Sequence, residues 1–231
     1  MQILVLANAS DDDAGFVGEV LTARGATLVT VHRENPAPLP ALDQFDAVVA
    51  LGSQWSVYWG DVQPQVEREA ELLREAVAAE IPVLGLCFGG QILAHALGGV
   101  VEPNPQPEIG FYAIESDQPD LIPVGPYVQW HVDRFAVPPG AMELARSASG
   151  PQAYAIGSAV GLQFHPEATP TMIRRWVTGG ENQVIEHGGS PEEFVAEAQD
   201  REGEAKARAA IIVAGFLDGR IRRFANEAEA V

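Results

Sequence analysis

The chain has 231 residues, 47% of them hydrophobic, and 14 basic against 32 acidic side chains give a formal charge of −18. That length and composition predict one compact domain with a sizeable core, and the negative charge disfavours a nucleic-acid backbone or an anionic membrane as partner. A single cysteine excludes an internal disulfide framework, and no apolar run approaches the ~20 residues of a membrane span. Met1-Gln2-Ile3-Leu4-Val5-Leu6-Ala7 has neither the basic flank nor the length of a signal peptide, so the expected location is cytoplasmic.

In chain order, strands are predicted at Gln2–Ala7, Thr27–Val31, Asp46–Leu51 and Pro82–Leu86, with helices near Ala14–Ala23 and Val62–Ala79. Such alternation predicts a parallel sheet covered on both faces. Pro36-Ala37-Pro38-Leu39-Pro40 reads as a stiff surface loop. Gln91 to Leu97 has helical spacing and ends at Gly98-Gly99, a C-terminal cap. Between Val100 and Gly161, pieces such as Phe111 to Glu115 and Tyr127 to Trp130 predict added mixed or antiparallel strands. From Gly179-Gly180 onward we expect a loop, then an acidic, alanine-rich helix or helix pair from Pro191 to about Leu217. Its apolar positions Phe194, Val195, Ala198, Ile211, Ile212 and Phe216 predict packing on the domain or on a partner, while Glu192-Glu193 and Arg220 to Arg223 read as solvated charge. The fold class is α/β, a single open, mostly parallel sheet with helices on both faces, as in a flavodoxin-like three-layer sandwich.

The only cysteine lies at the joint between the fourth strand and the helix that follows, in Gly85-Leu86-Cys87-Phe88-Gly89-Gly90-Gln91. Small residues on either side let the backbone turn sharply and let the helix pack close to the strand, as in the G-x-S-x-G elbow of hydrolases. At a helix N-terminus the thiolate is favoured, and the thiolate is the nucleophile. Two readings are open from this segment alone: a buried structural thiol and a nucleophile. Further on, Val160-Gly161-Leu162-Gln163-Phe164-His165-Pro166-Glu167 reads as an apolar strand delivering a histidine and then a carboxylate. A cysteine nucleophile needs a base within reach, and the base needs an acceptor that fixes its tautomer. Taken singly, His165 reads as a strand-end histidine satisfied by backbone, and Glu167 as a helix-capping acid before Thr169-Pro170-Thr171.

Together, Gly-Leu-Cys-Phe-Gly-Gly-Gln and Gln-Phe-His-Pro-Glu resemble the class I (triad) glutamine amidotransferases. Leu51-Gly52-Ser53-Gln54-Trp55-Ser56-Val57-Tyr58 falls where that family carries Gly-Gly-Pro-x-Ser-x-Tyr. Glu108-Ile109-Gly110 and Trp130-His131-Val132-Asp133 are similar to segments of the branch that includes the amidotransferase domain of GMP synthase. The resemblance covers residues 1 to about 180, with 181–231 a C-terminal helical extension. It implies Cys87 as nucleophile, His165 as general base and then acid, and Glu167 as the group orienting the histidine. It also implies oxyanion donors at the Phe88 N–H and at the Gly52-Ser53 turn, and substrate contacts at Gly52, Gln91 and His131, with Asp133 structural or pocket-shaping.

Two positions depart from the family's pattern. Ser53 stands where glycine is usual; if the turn requires a positive φ, serine disfavours it by about 1 kcal/mol or more. Val132 replaces the glycine of Trp-His-Gly-Asp, and its Cβ is expected to narrow the pocket. There is no Gly-x-x-x-x-Gly-Lys-Ser/Thr loop for ATP and no Cys/His cluster for zinc, so no cofactor or metal is expected. An ammonia acceptor site must then belong to another polypeptide, such as a separate synthetase subunit. The leading expectation is a glutaminase-type hydrolysis through a cysteinyl thioester. Alternatives are a hydrolase of γ-glutamyl peptides or γ-glutamylamines, and a non-catalytic regulatory subunit that keeps the fold; an oligomer is compatible with each. An α/β-hydrolase order is disfavoured, because there the acid precedes the histidine and lies far from it.

Overall fold

The computed structural model describes residues 1–220. From the N-terminus the elements are β1 (Gln2–Ala7), α1 (Gly15–Ala23), β2 (Thr27–His32), β3 (Ala47–Ala50), α2 (Gln63–Ala78), β4 (Val83–Leu86) and α3 (Phe88–Ala96). Then come β5 (Val101–Ser116), β6 (Gly125–Phe135), β7 (Met142–Ser147), β8 (Gly150–Ile156), β9 (Ala159–Leu162), α4 (Pro170–Glu186), α5 (Pro191–Asp200) and α6 (Glu202–Leu217). All the strands join one sheet in the order β2-β1-β3-β4-β9-β8-β7-β5-β6. The first five run parallel and the rest pair antiparallel. The expected α/β sheet flanked by helices is therefore present, and the middle of the chain supplies its antiparallel half. A bridge between Val128 of β6 and His165, just past β9, shows the sheet curling so that its far edge returns towards the centre.

The apolar alternation of β1 explains why helices lie on both faces. Ile3 and Val5 pack with Val17 and Leu21 of α1 and with Ile212 and Phe216 of α6, whereas Leu4 and Leu6 pack with Val66 and Leu73 of α2 and Ile92 of α3. A third cluster joins Ile109 of β5 and Val128 of β6 to Ile173, Val177 and Val184 of α4 and Phe194 of α5. The tail is thus the helix pair allowed by its sequence, packed through Phe194, Ala198, Ile212 and Phe216. Glu192 and Glu193 are exposed in the first turn of α5, where acids complement the helix dipole. Residues 221–223 of the predicted charge run lie outside the described residues.

One expectation fails. Instead of ending in a loop at Gly179-Gly180, α4 continues to Glu186 with non-helical dihedrals at Gly180 (φ −128°). Trp130 presses there: a Cβ on Gly180 would come within 2.6 Å of its indole. The glycine permits close approach rather than termination. Glu167 does not cap α4 either, because the Thr169 side chain accepts from the Met172 N–H (3.2 Å).

The glycines around Cys87 are set by packing. A Cβ on Gly89 would overlap the Ala50 carbonyl oxygen, on Gly90 that of Leu162, and on Gly85 that of Gly89. The start of α3 therefore lies directly on β3, β4 and β9. Because the clash at Gly89 is with backbone rather than a mobile side chain, Gly89→Ala is expected to destabilise the protein by about 1–3 kcal/mol, read as a lower urea midpoint at unchanged m-value.

Candidate active site

Cys87 is buried (5% exposed) and has φ 52° and ψ −108°, one of two non-glycine residues with positive φ among the described residues. Its N–H donates to Leu162 O (2.8 Å) and its carbonyl accepts from Gln91 N (2.9 Å), so the residue bridges β9 and the first turn of α3. The strained dihedrals are over-determined by these contacts, as expected of an elbow that aims a side chain. Phe88, as the first residue of α3, has no intrahelical acceptor for its N–H.

His165 leaves the end of β9, where its N–H donates to Val128 O (2.9 Å). Its Nδ1 lies 2.7 Å from Glu167 Oε1, and both side chains are buried. A carboxylate only accepts, so Nδ1 carries the proton. Nε2 is buried without a hydrogen-bond partner among the described residues. Burial disfavours charge on the ring, but the anionic forms of Cys87 and Glu167 outweigh it and hold the histidine's pKa well above its ordinary value. The arrangement favours a thiolate–imidazolium pair over two neutral groups. Glu167 is itself pinned, since its carbonyl accepts the Phe16 N–H at the start of α1 (2.9 Å).

The remaining predicted positions divide into those at the pair and those behind it. Gly52, just after β3, abuts both candidate reacting groups: a Cβ there would sit 3.1 Å from His165 Cε1 and 3.8 Å from Cys87 Cβ. Ser53 follows, and its Oγ accepts from Trp55 N (3.0 Å). Ser53 has no positive φ, so the strain anticipated for serine is absent from this turn. Gln91 is buried, with Nε2 bonded to Asp133 O (3.2 Å) and Gln163 Oε1 (3.3 Å). His131 is also buried, with Nδ1 against Asp133 O (2.9 Å) and Nε2 against Glu108 Oε2 (3.1 Å), so protein groups engage both ring nitrogens. Val132 alternates outward between His131 and Asp133 and is 46% exposed. Its Cβ therefore does not narrow a buried pocket. Asp133 accepts from Tyr58 Oη (2.6 Å) and from Ser56 Oγ, tying the loop after β3 to β6.

Three neighbours of the site escaped the sequence reading. Gln163 Nε2 lies 3.9 Å from Cys87 Sγ, and its amide orientation is fixed by Gln91 at the other end. Trp176 of α4 packs edge-on to the His165 ring at 4.9 Å between centroids and donates to Asp11 Oδ2 (2.7 Å). Arg33, one residue past β2, donates to the carbonyls of Leu51 and Gly52. A signal existed for Arg33, because clefts of α/β sheets form at strand C-termini. Among the described residues, no cluster of three or more His, Cys, Asp or Glu could hold a metal ion, and no helix is long and apolar enough to cross a membrane.

Comparison with known proteins agrees with this geometry. The family model of glutamine amidotransferase class-I matches residues 25–177. The glutamine-hydrolyzing GMP synthase of Thermomicrobium roseum is 36% identical over 188 residues, covering 75% of this chain and 34% of its own length. A glutamine-hydrolyzing GMP synthase of Saccharolobus solfataricus, described as one subunit of that enzyme, is 30% identical over 143 residues, 58% of this chain and 73% of the relative. A solved glutamine amidotransferase of Thermotoga maritima superposes with a TM-score of 0.86 at 25% identity, covering 94% of this chain and 98% of the other. The chain belongs to the class-I glutamine amidotransferase family. It spans about a third of the length of the Thermomicrobium synthase.

Proposed function

We propose that the chain hydrolyses the side-chain amide of glutamine through a thioester on Cys87. The observation that carries this reading is the buried His165, bonded to Glu167 through Nδ1, with Nε2 unengaged and its charge held by Cys87. Cys87 Sγ adds to the amide carbon and the carbonyl electrons move to oxygen. His165 gives its Nε2 proton to the departing nitrogen, which leaves as ammonia, and the carbonyl re-forms as a γ-glutamyl thioester. His165 then takes a proton from water as that water attacks, and glutamate departs with the thiolate restored. The Phe88 and Ser53 N–H groups hold the oxyanion in both halves.

The acceptor of ammonia is proposed to lie on a separate synthetase subunit, with the chain acting as one cytoplasmic glutaminase domain whose chemistry resides before residue 180. Support comes from the Saccharolobus relative, which is described as one part of a divided synthase, and from the lack of an ATP phosphate loop in this sequence. Steady-state release of ammonia and glutamate from L-glutamine, compared with Cys87→Ala, is the direct test; equal rates would sink the reading. A γ-glutamyl amide with an apolar amine is the second reading, favoured by exposed Tyr58, Trp59 and Val132 near the Asp133 clamp. It predicts a higher kcat/KM for such an amide than for glutamine, and a lower one rules it out. The non-catalytic reading loses its two supports, because Ser53 is unstrained and Val132 faces outward.

A further inference from the structure

Arg33 is 3% exposed, and all five guanidinium N–H bonds find acceptors. Nε and Nη2 grip Glu69 of α2 (2.7 and 3.0 Å), Nη1 reaches Asn8 Oδ1 (3.0 Å) and Gly52 O (3.2 Å), and Nη2 also reaches Leu51 O (2.9 Å). The guanidinium carbon lies 5.0 Å from the centroid of the Phe88 ring. One planar cation thus touches both stretches that would supply the oxyanion donors, the Leu51-Gly52-Ser53 turn and Phe88.

We infer that Arg33 is a positioning residue that aims the Ser53 N–H by holding the Gly52 carbonyl, an inference that rests on the glutaminase reading above. In a trans peptide the C=O and the following N–H point in opposite directions across one rigid plane. With the Gly52 oxygen turned to Arg33, the Ser53 N–H must face the other way, and Gly52 itself abuts Cys87 and His165. Rotating that plane would present a carbonyl oxygen, not a donor, to the charge that develops in the reaction. The second grip, on Leu51 O, removes the neighbouring freedom through which such a rotation would pass. Glu69 neutralises Arg33, so its effect is delivered through peptide orientation rather than as a free charge beside the thiolate. Lysine cannot reproduce this fork, since its ammonium is a point donor on a flexible stem.

The test compares wild type, Arg33→Lys and the double variant Arg33→Met/Glu69→Met, which strands no buried charge. With glutamine, kcat in the double variant is expected to fall by about 10²–10³-fold, the scale of losing one oxyanion donor, with KM nearly unchanged. Alkylation of Cys87 by iodoacetamide displaces iodide and forms no oxyanion, so its rate is expected to stay at the wild-type value. A crystal structure of the same variant is expected to show the Gly52–Ser53 peptide turned or divided between orientations. An unmoved peptide, an unchanged kcat, or a parallel loss of alkylation overturns the inference. A wild type that releases no ammonia overturns the glutaminase reading instead, and the crystallographic result still decides Arg33. If the double variant does not fold, Arg33→Lys answers through the same three measurements.

Discussion

Exchange of Cys87 for alanine is expected to lower ammonia release from glutamine by about 10⁴-fold or more, the scale seen when a covalent nucleophile is removed from a preorganised site. The fold should survive. The sulfur makes only long contacts, 3.8 Å to Trp130 O and 3.9 Å to Gln163 Nε2, and the methyl of alanine occupies less of the same space. The elbow's own restraints are backbone bonds to Leu162 and Gln91 and the glycine contacts around them, none of which involves the thiol. A circular dichroism spectrum and unfolding midpoint close to wild type, with activity gone, are the expected pair of results. Residual activity within tenfold of wild type would remove Cys87 from the reaction.

Glu167→Gln is expected to cost about 10³–10⁴-fold in kcat, by the same logic through which a buried carboxylate orients the histidine of serine proteases. Glu167 Oε1 is bonded to His165 Nδ1, while Oε2 has no hydrogen-bond partner among the described residues. The carboxylate is therefore given over to the histidine. An amide in its place lacks the negative charge and can present its NH₂ to Nδ1, moving the ring proton to Nε2 and blocking it as a base. Removing either anion should also lower the histidine's pKa, because burial then opposes the ring's charge with one fewer compensating group. Ring NMR titrations are expected to place His165 highest in wild type and lower in both Glu167→Gln and Cys87→Ala. Identical titrations in all three would show that neither anion sets its charge.

The parallel half of the sheet was legible because its strands are short apolar runs buried on both faces, and the joint at Cys87 because glycine is needed wherever a helix lies directly on strand carbonyls. His165 and Glu167 could be paired in advance because they are two residues apart. Arg33 and Glu69 could not, since one follows a strand and the other lies on a distant helix, and only the folded chain brings them together. β5 was obscured by Pro103, Pro105 and Pro107. The structure tolerates them where the register between β5 and β6 is broken, and β5 pairs with β7 only at Glu115 and Ser116. The motif around His131 implies a substrate contact, yet its nitrogens serve Asp133 and Glu108, a commitment that chain position does not reveal.

β4 and β9 are adjacent parallel strands in register, Leu86 opposite Leu162, with Cys87 and His165 carried just beyond their ends. The separation of the candidate reacting groups is thus set by one strand spacing deep in the sheet. The β5–β6 arm, the loop from Ser53 to Trp59 and the helices α5 and α6 contribute walls around that frame rather than the frame itself. Such an arrangement lets the rim be rewritten for new leaving groups or new docking partners while the distance across which the proton must move stays constant. Chemical competence and molecular choice can then diversify on separate timetables within one chain.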